Sequence, residues 1–119
     1  MVSDIHWDVS LAQPIPFSLQ GLIYLNDVNI DDGAFHCVPN FQHKVSDWIK
    51  TVPKSEDLRS VAASSLKYDL VGISGNAGDM IIWQQALPHC ATPNKGHEPR
   101  LVQYLTYLPF ELEVREEWI

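Results

Sequence analysis

Apolar residues recur along this chain in short runs rich in β-branched and aromatic side chains, each bounded by turn-forming residues. These runs predict strands over 5–9, 18–25, 34–38, 66–73, 80–83 and 101–107. Between them stand "AQPIP", "NDVNIDDG", "GNAGD" and "TPNKGHEP", all carrying the Gly, Pro, Asn or Asp that tight reversals need. Two segments depart from the pattern. "HKVSDWIKTV" puts Val45, Trp48 and Ile49 at i, i+3 and i+4 on one helical face, and "SEDLRSVAASS" reads as another short helix, capped by Ser55. An all-β sandwich or barrel with one or two short helices follows, without internal repeats.

Length limits the chain to one domain: 119 residues build a modest core, so 1–119 reads as a single unit. A hydrophobic content of 45% places it among globular proteins, and a net charge of −7 argues against nucleic acid or an anionic membrane surface as partner. No apolar run approaches the ~20 residues of a membrane span, and "MVSDIHWDVS" lacks the basic and apolar regions of a signal peptide, so the expected location is cytoplasmic. In that compartment Cys37 and Cys90 are expected as buried or half-buried free thiols. Both ends break off in apolar residues within or beside a predicted element; "FELEVREEWI" starts as a terminal helix or strand and stops on Trp118 and Ile119. The expectation is a barrel incomplete at its N-terminus, whose open edge favours a homo-oligomer.

Chemistry concentrates first in "IHWDV". Along a strand, side chains alternate between faces, so His6 and Asp8 project together while Trp7 points away. An imidazole beside a carboxylate can hold a metal or form a plain ion pair, and the motif alone does not choose. Further on, "GDMIIWQQALPHCATPNKGHEPRLVQYL" carries a Gly-Asp turn, a strand, His89 opening an irregular segment after Pro88, and Arg100 opening the next strand.

Taken together, "HWD", "YLNDVNIDDGAFHCVPNFQHK" and "GDMIIWQQALPHCATPN…PRL" resemble the phytanoyl-CoA dioxygenase-like family of iron(II)- and 2-oxoglutarate-dependent dioxygenases, over about residues 5 to 108. The resemblance implies a double-stranded β-helix, the jelly-roll or cupin-like barrel. It also implies that His6, Asp8 and His89 form the two-histidine, one-carboxylate metal triad, with Arg100 holding the far carboxylate of 2-oxoglutarate. The implied activity is hydroxylation of a small organic or acyl substrate, coupled to decarboxylation of the cosubstrate to succinate. An inactive cupin-like barrel that binds a metal or small acid is the alternative reading.

Elementary chemistry agrees with these roles. Iron(II) accepts imidazole nitrogen and carboxylate oxygen, and a single carboxylate leaves the site positive for an anionic cosubstrate. The planar guanidinium fork suits a carboxylate better than a lysine does. Gln20 and Tyr24, on one strand face, are candidates to line the pocket beside the cosubstrate, and Trp83 is a candidate pocket wall. His36 and His43 read as structural or solvated, and His97 as exposed. Two features depart from the family: only five residues precede His6, and Val102 stands where some of these enzymes have a Ser two residues after the Arg.

Overall fold

The computed structural model describes residues 4–107 and 117–119. Six strands, β1 (Leu19–Tyr24), β2 (Phe35–Cys37), β3 (Val71–Ile73), β4 (Met80–Gln84), β5 (His89–Ala91) and β6 (Val102–Tyr107), form two antiparallel sheets. Their strand orders are β4-β1-β6 and β3-β2-β5. Two helices, α1 (Val45–Thr51) and α2 (Leu58–Ser65), lie between β2 and β3 in the chain. No helix among the described residues is long and apolar enough to cross a membrane.

Alternation along β1 explains how the sheets meet. Leu22 and Tyr24 are fully buried, and with Val28, Ala34, Phe35, Cys37, Trp83 and Leu87 they fill the space between the sheets. Phe35 of one sheet and Trp83 of the other touch with ring centroids 4.5 Å apart. A second cluster, built on Ile5, Trp7, Val9 and Leu11, packs against Val45 of α1 and Ala62 of α2. The turn that feeds β4 needs Gly78, whose φ of +94° is costly for a side chain with a Cβ. Just before it, a Cβ at Gly75 would come within 2.7 Å of the Tyr24 ring, so this approach also requires glycine.

Four sequence expectations change. Residues 5–9 do not form a strand: His6 makes a single bridge to His89, because β5 is three residues long and its ladder is made with β2. Over 66–73 only Val71–Ile73 forms a strand, since Leu66 caps α2 and Lys67–Asp69 is a 3-10 turn. Asp57, not Ser55, caps α2 by accepting the Ser60 backbone N–H at 2.9 Å. The segment from His89 is the strand β5 instead of an irregular stretch. Most of the element expected over 110–119 lies outside the described residues. Cys37 and Cys90 are buried free thiols, and burial pushes the Cys90 thiol up to about 11, which leaves it un-ionised and inert.

Candidate metal centre

The bridge between His6 and His89 builds the site. His6 N–H donates to the His89 carbonyl at 3.0 Å and His89 N–H returns the bond at 3.1 Å. Residues paired in this way stand directly opposite and project to the same face. Their rings are accordingly 4.6 Å apart, centroid to centroid. Asp8, two residues beyond His6, projects the same way, whereas Trp7 turns into the core and donates its indole N–H to the Ala86 carbonyl at 2.9 Å. One donor atom from each of His6, Asp8 and His89 lies within 4.8 Å of the others.

Backbone carbonyls fix both imidazoles. His6 Nδ1 is 2.7 Å from the Asp4 carbonyl and His89 Nδ1 is 3.0 Å from the Leu87 carbonyl. A carbonyl only accepts, so each Nδ1 carries the proton and each Nε2 is turned toward Asp8. The Nε2 atoms of His6 and His89 sit 3.5 Å and 3.1 Å from the Asp8 carboxylate. With neutral rings, two nitrogen lone pairs would face a carboxylate. That arrangement calls for a positive charge between them, either a proton or a metal ion. With a proton between them, the hydrogen bond from His89 Nε2 holds the Asp8 carboxyl far below the usual carboxylate range, against the opposing effect of burial and with help from the Gln20 amide. A donor set of two imidazoles and one ionised carboxylate fits iron(II).

The triad opens on a cleft of about 360 Å³ walled by Gln20, Phe35, Trp83 and Leu105, with Arg100 and Tyr104 also lining it. Arg100 Nη2 donates to the Tyr104 hydroxyl at 3.2 Å, while Nη1 is buried with no partner among the described residues. An unmet guanidinium N–H beside a cleft fits an anion. Gln20 and Trp83 line the cleft beside the triad. Tyr24 does not line the cleft: its hydroxyl donates to the Ile73 carbonyl at 2.7 Å and accepts the Phe35 N–H at 3.0 Å, which spends it inside the core. His36 is buried and held to the Ala34 carbonyl at 2.9 Å, and His43 and His97 are exposed, so none of the three joins the triad.

Two residues at the site carried no signal that singled them out. Tyr104 is one, although alternation from Arg100 would have put it on the same side. The other is Arg59 of α2, which grips the segment carrying Asp8. Its guanidinium donates to the carbonyls of Trp7 at 2.7 Å and Val9 at 2.8 Å, on either side of Asp8, and to that of Ile119 at 3.0 Å. Ser10 adds a bond to the Glu117 carbonyl at 2.8 Å. This tethering replaces the strand ladder that residues 5–9 lack. Arg59→Ala is expected to lower stability by about 2 kcal/mol in urea unfolding, the scale of a lost charge-assisted hydrogen bond.

Comparison with known proteins is consistent with this architecture. Residues 2–102 match the family described as Phytanoyl-CoA dioxygenase (PhyH). A curated Dictyostelium discoideum relative named for phytanoyl-CoA dioxygenase is 28% identical over 96 residues, covering 76% of this chain and 27% of that protein. Among solved structures, HygX from Streptomyces hygroscopicus with nickel, 2-oxoglutarate and hygromycin B bound superposes with a TM-score of 0.65 at 22% identity, over 96% of this chain and 53% of that one. HygX with iron bound gives a TM-score of 0.64 at 20% identity, over 97% and 56% respectively. The likeness shows the fold to be the jelly-roll, cupin-like double-stranded β-helix. The chain spans about half the length of these solved structures.

Proposed function

The chain belongs to the phytanoyl-CoA dioxygenase family, and from that premise we propose that it acts as a non-haem iron(II)- and 2-oxoglutarate-dependent dioxygenase on a small organic or acyl substrate. The observation that carries this reading is the pairing, in one cleft, of the His6, Asp8 and His89 donor set with the unmet N–H of Arg100. The metal, 2-oxoglutarate and hygromycin B bound in HygX support it.

Iron(II), when bound with 2-oxoglutarate and dioxygen, would supply hydroxylation of a C–H bond, one oxygen atom of dioxygen entering the product and the other the succinate that leaves with carbon dioxide. His6, Asp8 and His89 would hold the ion through two fixed Nε2 atoms and one ionised carboxylate. Arg100 would bind the far carboxylate through Nη1, keeping its Nη2 on Tyr104. Tyr104 accepts that Nη2 hydrogen bond, so its own O–H is available to donate to the same anion. Phe35, Trp83 and Leu105 present apolar surface that keeps water from the reacting end and favours an apolar substrate carbon.

The test is release of succinate from 2-oxoglutarate in the presence of iron(II), oxygen and a panel of small acids and acyl compounds. Release that depends on His6 and His89 supports the reading, and binding of metal and cosubstrate without release overturns it. Tyr104→Phe is expected to weaken 2-oxoglutarate binding about tenfold, the scale of one hydrogen bond to a charged group, with metal affinity unchanged in calorimetric titration.

A further inference from the structure

We infer that Gln20 is a positioning residue for Asp8, and that Trp83 sets its orientation through a hydrogen-bonded relay across the sheet. This rests on the reading that Asp8 belongs to a metal triad. Gln20 of β1 and Trp83 of β4 are direct cross-strand partners, so the sheet register itself puts their side chains side by side. Trp83 Nε1 donates to Gln20 Oε1 at 3.0 Å, and Gln20 Nε2 donates to Asp8 Oδ2 at 3.0 Å.

The chemistry allows only one direction for this relay. An indole N–H donates and never accepts, so the end of the Gln20 amide that faces Trp83 must be the oxygen. The amide NH₂ must then face Asp8, where it can only donate and where an ionised carboxylate can only accept. A free glutamine could present either end to Asp8. Beside the buried Trp83 it can present only the donor. Asp8 needs such an anchor because its side chain is about half exposed, at 49%, and Arg59 and the His6–His89 bridge hold only the backbone of its segment, which has no strand ladder. With one oxygen pinned, the carboxylate is already oriented before an ion arrives, which is the service that partners of metal ligands commonly provide.

The experiment is anaerobic cobalt(II) titration of the metal-free protein, following the visible d–d absorption, on wild type, Gln20→Met, Trp83→Phe and the double variant. Methionine keeps the length of glutamine and loses both hydrogen bonds. The expected result is a 10–100-fold weaker affinity for Gln20→Met, with an altered band intensity, and a smaller loss of the same sign for Trp83→Phe. The double variant should bind no more weakly than Gln20→Met, because the two residues act in series. Unchanged affinity in Gln20→Met overturns the inference, as does a double variant whose losses multiply. Should Trp83→Phe fail to fold, Gln20→Met decides alone. Wild-type protein that binds no cobalt overturns the triad itself, a different failure from that of the relay.

Discussion

Replacing His89 by alanine should abolish tight iron(II) binding, with a loss well beyond the roughly hundredfold that removal of a partner outside the ligand set can cost. His89 is buried and its Nδ1–H is committed to the Leu87 carbonyl, so no movement of a neighbour can supply a second neutral nitrogen at the same place. Asp8 would keep only His6 and Gln20 as partners, and a two-donor site holds iron(II) no better than scattered surface pairs do. His6→Ala should behave alike. Because His6 is more exposed, at 36% of its side chain, its loss disturbs packing less and separates metal binding from folding. His97→Ala should leave affinity unchanged, since His97 lies in an exposed loop away from the triad. Equal affinity in all three variants, measured by anaerobic titration with circular dichroism to confirm folding, would remove the triad assignment.

The part of this site that was legible in the sequence is the part fixed by local alternation. His6 and Asp8 do share a face with Trp7 opposed, although no strand forms there, because extended backbone alternates whether or not a ladder accompanies it. β5 was harder to read: Pro88 and Pro93 bracket a run of four residues, three of which form the strand, and proline ordinarily argues against a strand. Gln20 and Tyr24 show where facing alone runs out. They lie on one face of β1, but four residues along a strand is ~13 Å, enough to put one beside Asp8 and the other against Ile73. Arg59 was illegible for another reason. Its bonds go to backbone carbonyls some fifty residues away, and nothing in an exposed-looking helix sequence marks which distant loop a guanidinium will hold.

Those two kinds of residue divide the work of the site. Arg59 and the His6–His89 bridge place the backbone, while the carbonyls of Asp4 and Leu87, with Gln20, orient the donor atoms. Changes in the first group should appear as lost stability, and changes in the second as lost metal affinity in a protein that still folds. Arg100 belongs to neither group, which makes it the most discriminating position in the cleft.

Arg100→Ala should weaken 2-oxoglutarate binding by roughly a hundredfold or more while iron(II) affinity stays the same. Among the described residues Nη1 is buried without a partner and Nη2 is held by Tyr104, so the guanidinium is already fixed, with a donor at the cleft that none of them meets. Removing one partner of a buried charge pair costs about 3–5 kcal/mol, and the partial exposure of Arg100 puts its share toward the lower end. At ~1.4 kcal/mol per tenfold, 3 kcal/mol is a little over a hundredfold. Arg100→Lys should fall between wild type and alanine, since it keeps the charge and loses the planar pair of donors. The metal should not respond, because Arg100 is no member of the donor set. Calorimetric titration of the metal-loaded protein with 2-oxoglutarate measures the loss, and titration with a 2-oxo acid lacking the far carboxylate supplies the control: its weak binding should be the same in wild type and Arg100→Ala. If the alanine variant binds 2-oxoglutarate as tightly as wild type, the far carboxylate is held elsewhere and the unmet N–H of Arg100 serves some other anion.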